Sequence, residues 1–359
     1  MTPDFWRGRG VFMTGHTGFK GSWMSLWLQS LGAGLTGYAL KPPTNPSLFE
    51  QAGVAEGMTS IQGDIRDLDA LTRSMQAARP EIVIHMAAQP LVRYSYQNPV
   101  ETYATNVMGT VHLLEAARVT PTVKAVVIIT TDKCYENHEW VWGYRENDTM
   151  GGYDPYSNSK ACAELVSSAY RSSFFNARDY ARHGVALASA RAGNVIGGGD
   201  WAKDRLIPDI VAAFEQGKSV CIRNPRAVRP WQHVLEPLRG YLMLAEKLVR
   251  EGPVYAGGWN FGPNGEDARP VRWIVEQMAA RWEGDNQWHV EEGGQQHEAA
   301  HLKLDISKAR DMLGWYPQLR LNDALNLVVD WSRQRQAGTN VRTLTEQQIT
   351  AYQKMTQIS

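Results

Sequence analysis

The chain has 359 residues, 43% of them hydrophobic, with 37 basic and 37 acidic side chains. That length and apolar content suffice for one large α/β domain or two domains sharing a cleft, and they exclude a short or disordered chain. A formal charge of zero provides no global field to draw nucleic acid or an acidic membrane surface, so any anionic ligand must be held locally.

Short β-branched runs alternate with helical periods through the first half. "GVFMTG" is strand one and leads into a helix from about Phe19; "LTGYAL" and "MTSIQGD" follow as strands two and three. A helix begins at Leu68, "EIVIHMAA" is strand four, and a helix spans about Val100 to Arg118. "AVVIITT" is strand five, a long helix starts at about Tyr156, and "GVALASARAGNVIG" is the next strand segment. This repetition predicts an α/β fold, a Rossmann-like doubly wound parallel sheet with six or seven strands complete by Ala192. After Ala192 the texture changes to Gly-, Pro- and Trp-rich segments, "GGGDWAKDRLIP" and "RNPRAVRPWQHV", between shorter helices. A smaller C-terminal substrate-binding lobe is expected there. The predicted division is 1–192 as the dinucleotide-binding domain and 193–233 with 258–359 as the lobe. The amphipathic stretch "HVLEPLRGYLMLAEKLV", within 234–257, packs back onto the first domain. The polar tail from about Gly338 reads as weakly helical.

"VFMTGHTGFKGSW" puts Gly15, Gly18 and Gly21 between strand one and its helix, with Thr17 and Phe19 in the same turn. Glycines let the backbone turn tightly and approach a pyrophosphate, whose charge then lies on free N–H groups at the positive end of a helix. The same sheet edge gathers Asp64 and Ile65 after strand three, toward an adenine, and Ala87, Ala88 and Gln89 after strand four. Strand two lacks the acidic residue that usually takes the adenosine ribose; "GYALKPPT" offers Leu40 and Lys41. Lys41 beside a 2′-phosphate and Lys41 on a solvated loop are both open readings, so NAD is expected and NADP is not excluded.

"GGYDPYSNSKACAELV" carries Tyr156 and Lys160 four residues apart, on one face of a helix. A phenol with a pKa of about 10 is a poor base near neutrality unless a cation favours the phenolate. Tyr153 lacks a lysine four residues on. After a glycine-turn βαβ unit, this pair resembles the extended short-chain dehydrogenase/reductase superfamily. The resemblance implies that Thr131, at the end of strand five, completes a triad. It also implies that Asn106 in "TNVMGTVHLLEAA" matches the superfamily's helix asparagine, for which a capping or packing role is the rival reading. Dimers through two helices, one bearing the Tyr and Lys, are usual in the superfamily, so a homo-oligomer, dimer or tetramer, is expected.

Strand five ends "TTDKCY", with Asp132 and Lys133 side by side after Thr131. Sugar-nucleotide 4,6-dehydratases carry Thr-Asp-Glu here, the Asp as acid for the departing 6-hydroxyl and the Glu as base toward the C5 hydrogen. The change to Lys resembles the CDP-glucose 4,6-dehydratase branch. "TGHTGFKGSW", "HMAAQPLV", "DKCYEN", "EWVWGYREND", "RAGNVIGGGDWAKDRLIPD" and "RPWQHVLEPL" extend that likeness over nearly the whole chain. The resemblance implies a lyase that turns CDP-glucose into its 4-keto-6-deoxy form in bacterial deoxysugar biosynthesis. Hydride leaves C4 and returns at C6, so a tightly bound NAD is regenerated each cycle. Tyr156 is then the base toward the 4-hydroxyl and Asp132 an acid whose pKa burial must raise. Lys133 as base, as enolate stabiliser or as the holder of a basic water all remain open. A 4-epimerase of the same fold leaves Asp132 and Lys133 without work, and a silent dinucleotide sensor would not need the intact triad.

A nucleotide-sugar pyrophosphate needs cationic donors, for which Arg205 and Arg229 are candidates, with Arg93 near the sugar. Asn194 matches the position that contacts nucleotide phosphates in relatives, and Trp201 either lines the pocket or simply packs. "HEAAH", His297 to His301, satisfies a zinc-protease pattern but enters "LKLDIS", which reads as a strand, so no metal is expected. His297 and Glu298 are expected to edge the nucleotide pocket instead. Three scattered cysteines, Cys134, Cys162 and Cys221, fit a reducing compartment. With no run of about 18 apolar residues and no signal-like start, a cytoplasmic protein without a membrane span is expected.

Overall fold

The structure, a computed structural model, describes residues 2–282, 284, 287–290 and 302–358. Its sheet is built from β1 (Gly10–Thr14), β2 (Gly34–Ala39), β3 (Thr59–Gln62), β4 (Ile82–His85), β5 (Ala125–Ile129), β6 (Ala186–Arg191) and β7 (Gly257–Asn260). All pairings are parallel, in the order β7-β6-β5-β4-β1-β2-β3. The chain winds outward from β1 in both directions, and the reversal between β1 and β4 opens the crevice where such sheets bind ligands.

Two apolar layers sandwich the sheet, and the pleat sorts side chains between them. Ala125, Val127 and Ile129 of β5 enter one layer, whereas Val126 and Ile128 enter the other. The first layer is filled by helix α1 (Phe19–Ser30) with Trp23 and Trp27. The second is filled by α2 (Leu68–Ala78) and α4 (Gly109–Arg118), with the short α3 (Val92–Gln97) near the crevice. Helix α5 (Pro155–Ser173) starts from an Asp154 cap, whose carboxylate accepts from the Ser157 backbone at 2.9 Å. A third apolar cluster lies in the later chain, among α6 (Leu206–Glu215), α8 (Val271–Arg281) and α9 (Leu321–Gln336). Between these, α7 (Leu235–Glu251) buries Leu235, Leu238, Leu242 and Leu248 in the first layer, against β5 and β6.

Three segments differ from the sequence reading. Six sheet strands lie before Ala192, within the expected six or seven. The seventh is "GGWN" of β7, which pairs with β6 from Gly257↔Ala188 to Asn260↔Arg191. "LKLDIS" makes an isolated bridge, Leu304 to Tyr144, not a strand. The tail is a full helix, α10 (Val341–Ile358), because Val341, Leu344, Thr345, Ile349 and Tyr352 recur at helical spacing and are buried. Tyr352 meets Trp27 edge-on at 5.8 Å and donates to Glu236 at 2.6 Å. No helix among the described residues is long and apolar enough to cross a membrane.

Candidate active site

The turn after β1 is shaped by what it lacks. Gly15 has φ +77°, and a Cβ there would lie 2.6 Å from the Ala87 backbone nitrogen; a Cβ on Gly21 would strike the Gly15 carbonyl oxygen. Gly18 caps the N-terminus of α1. Thr14 Oγ1 accepts from the Met86 and Ala87 backbone, both at 3.2 Å, and stitches the tips of β1 and β4 together. Thr17 donates to the Leu40 carbonyl at 2.9 Å. The resulting cradle, open at the start of a twelve-residue helix and closed to a side chain at Gly15 and Gly21, fits a dinucleotide pyrophosphate.

Around that cradle, Asp64 grips Arg66 at 2.6 Å, and this hydrogen bond holds its carboxyl below the usual range. The Ile65 side chain belongs to the core and packs on Gly109. Asn106 sits in a π-helical turn, Ala104–Met108, and joins elements. Its Oδ1 accepts from Gln89 at 2.8 Å, and its Nδ2 donates to the Gln89 carbonyl at 3.0 Å and Ser159 at 2.9 Å. Gln89 is held in turn by Leu91 and Thr102. Leu40 and Lys41 are exposed.

A cavity of about 300 Å³ opens between the sheet tips and the α6 side of the molecule. At one end are Thr131, Asp132, Lys133 and Tyr156. Thr131 is buried and donates to Asp132 Oδ1 at 2.9 Å, whereas Asp132 Oδ2 is buried with no partner. Gly193 lies against that oxygen and leaves no space for a Cβ. Burial raises the Asp132 pKa, against the charges of Lys133 and Arg229 and the Thr131 hydrogen bond. Burial also pushes Tyr156 up to about 12, opposed by a hydrogen bond to Thr131 and by the charge of Arg205. Lys160, one turn further along α5, donates to the Ile129 carbonyl at 3.3 Å. Burial, then repulsion from Lys20, brings its ammonium down to about 8.

The same cavity receives Arg93, Asn194, Arg205 and Arg229. Arg229 is 7% exposed and donates to the Val228 carbonyl at 3.1 Å. Arg205 meets Asp200 at 3.0 Å, and Arg93 meets Asp204 at 3.2 Å. Asn194 stands at φ +20° between β6 and the short strand Val195–Ile196. Trp201 turns away from this cavity and packs on Trp331 at 5.9 Å. His297, Glu298 and the HEAAH motif lie outside the described residues; among the described residues no group of His, Cys, Asp and Glu could hold a metal ion.

Sequence reasoning missed Lys20. Its side chain enters the cavity from the first turn of α1, and its ammonium has no hydrogen bond or ion pair among the described residues. Burial, then the charge of Arg205, pulls it down to about 8, while Asp132 and Asp200 work the other way. A lysine inside "GFKG", next to Gly21, where no side chain fits, was the available signal.

Residues 12–328 match the family described as GDP-mannose 4,6 dehydratase. The chain belongs to that family. Within it, the chain is 57% identical over 356 residues to the CDP-glucose 4,6-dehydratase of Salmonella typhimurium, covering 99% of both chains. It is 25% identical over 335 residues to a dTDP-glucose 4,6-dehydratase of Xanthomonas campestris pv. campestris, covering 89% and 92%. Among solved structures, a Stenotrophomonas maltophila UDP-glucose 4-epimerase with bound NAD superposes with a TM-score of 0.79 at 19% identity, over 92% of this chain and 100% of that one. A Bacillus anthracis dTDP-glucose 4,6-dehydratase in complex with NAD gives 0.74 at 21%, over 92% and 98%. These structural likenesses establish the shared Rossmann-like fold.

Proposed function

We infer that this chain is a hydro-lyase that converts CDP-D-glucose to CDP-4-dehydro-6-deoxy-D-glucose and water, in bacterial deoxysugar biosynthesis. The observation that carries the reading is the end-to-end 57% identity to a CDP-glucose 4,6-dehydratase, in a chain whose Thr131, Asp132, Lys133 and Tyr156 share one cavity. The glycine cradle, with Gly15, Gly18 and Gly21, would hold NAD by its pyrophosphate, and structural neighbours bind NAD. When bound, NAD supplies a hydride acceptor at the start of the cycle and a donor at its end, with no net redox change.

The residues do the proton work. Tyr156 takes the proton of the 4-hydroxyl once its phenolate is favoured, and Thr131 holds the sugar oxygen. Asp132, whose pKa burial raises, gives its proton to the departing 6-hydroxyl. Lys133 lines the cavity beside it and acts on the C5 side. Lys20, Arg205 and Arg229 take the pyrophosphate, and Lys20 suits this because an unpartnered, part-buried ammonium is stabilised by an anion.

Incubation of the purified protein with CDP-glucose and NAD is expected to yield a product lighter by one water. An epimer of unchanged mass would overturn the reading in favour of an epimerase, and no conversion would leave only dinucleotide binding. Asp132→Asn is expected to slow water loss more than the initial oxidation at C4, followed by cofactor absorbance in a single turnover.

A further inference from the structure

Tyr156 enters the cavity from the first turn of α5, where the backbone N–H groups of a helix have no acceptor within the helix itself. Each must find a partner elsewhere. Pro155 has no N–H to satisfy, and the Asp154 carboxylate accepts from the Ser157 backbone at 2.9 Å. Tyr156 lies between them. Its N–H donates out of the helix, to Ser95 Oγ at 3.1 Å.

Ser95 belongs to α3, the short helix after β4, and it is fully buried. Its hydroxyl points both ways, accepting from Tyr156 and donating to the Val92 carbonyl at 2.6 Å. Val92, Arg93 and Tyr156 all line the cavity, whereas Ser95 does not. One hydroxyl behind the wall therefore joins the backbone that carries the phenol to the backbone of α3. The Tyr156 carbonyl is held as well: Ser159 Oγ donates to it at 2.7 Å and accepts from Asn106 Nδ2 at 2.9 Å. Tyr156 is thus anchored to α3 through its N–H and, through Ser159, to the π-helical turn that carries Asn106.

We propose that Ser95 is a positioning residue for the oxidation at C4: it sets where the Tyr156 phenol stands against the α3 wall of the cavity. Asp154 already caps α5, and the Ser95 hydroxyl ends on a cavity-lining residue at each side, so its place is that of a spacer between two walls. Without the hydroxyl, the Tyr156 N–H loses its acceptor, and the turn must move to find another. A shift of about 1 Å in a reacting group costs up to about 10²-fold in rate. A phenol moved away from the cations that favour its phenolate also ionises at higher pH. The proposal rests on the dehydratase reading above.

The test is single-turnover reduction of NAD by CDP-glucose, followed by absorbance across pH in the full-length wild type and in Ser95→Ala. Reduction is expected to slow by about 10- to 100-fold. The acid limb of the profile should move up by about one pH unit, so that alkaline buffer recovers part of the rate. Thermal midpoint and Kd for NAD should hold near wild type, and a crystal structure of Ser95→Ala should show the phenol displaced from Thr131. Ser95→Cys keeps a weak acceptor at the same place and should fall between the two; it carries the test where the alanine variant does not fold. A rate as fast as wild type, a loss by one factor at every pH, or an unmoved phenol overturns the assignment. A wild type that makes no product lighter by one water from CDP-glucose would instead overturn the dehydratase reading.

Discussion

Two charged groups lie back to back at the end of β5, and they differ in one respect. Behind the strand, Glu164 on α5 accepts from Thr130, Ser189 and Arg191, the last at 2.8 Å, and Arg191 goes on to Tyr135 at 2.6 Å and the Glu146 carbonyl at 2.9 Å. Tyr135 carries the chain on to Asn260 of β7 at 2.7 Å, and every carboxylate and hydroxyl in it is partnered, with only Arg191 Nε left buried without one. In front, Asp132 leaves one oxygen unpartnered and Lys20 has no ion pair among the described residues. Adjacent threonines serve the two sides, Thr130 the closed network and Thr131 the open one, and the same helix carries Tyr156 and Lys160 for one and Glu164 for the other. A buried charge with its partners supplied by the fold holds the fold together. A buried charge left short of partners costs stability unless a ligand completes it.

The largest expected effect is on the open side. Tyr156→Phe should lower turnover by about 10²- to 10⁴-fold, the range of general acid–base catalysis, while the thermal midpoint stays within a few degrees. A parallel loss of stability would mean that the phenol belongs to the closed network. Next comes Arg191→Met, which leaves Glu164 buried without its cation. Burial works to raise the Glu164 pKa, and the Arg191 charge and hydrogen bonds outweigh it, so the net shift is downward. Removing that partner should cost about 3–5 kcal/mol in urea unfolding. A loss below about 1 kcal/mol would show the network to be dispensable.

A smaller effect separates the two sides by pH. Lys20 is lowered from 10.5 to about 8 in the folded chain. The unfolded chain therefore keeps that proton longer, so stability of the ligand-free protein should rise between about pH 8 and 10.5, with the cost fully present below 8. Binding of CDP-glucose has the opposite sign and should weaken as pH rises through about 8. Lys20→Met should flatten both slopes and raise Kd by about tenfold, read by calorimetry across pH. Unchanged slopes would remove Lys20 from the site. The smallest contrast compares neighbours: Thr130→Val should cost about 1–2 kcal/mol of stability with turnover little changed, and Thr131→Val should do the reverse.

What the sequence made legible follows from how local each feature is. The glycine turn and the Tyr156–Lys160 spacing are fixed by a few consecutive residues and by helix geometry, so their patterns survive without the fold. Strand β7 was missed because "GGWN" opens on two glycines and follows a long helix, and its identity as a strand comes from pairing with β6. Helix α10 looked weak because its apolar stripe is interrupted by polar residues, and it is secured by docking on Trp27 and Glu236. Asp132 was legible as an acid from its chemistry, but its missing partner depends on Gly193, which is 61 residues away in the chain.

The central claim is that one cavity both oxidises C4 and expels the 6-hydroxyl of the same glucose. CDP-glucose carrying deuterium at C4, incubated with the protein and NAD, tests it most directly by mass spectrometry and NMR. The account predicts a product lighter by one water with the deuterium at C6. A product of unchanged mass, or a dehydrated product with no deuterium at C6, would contradict it.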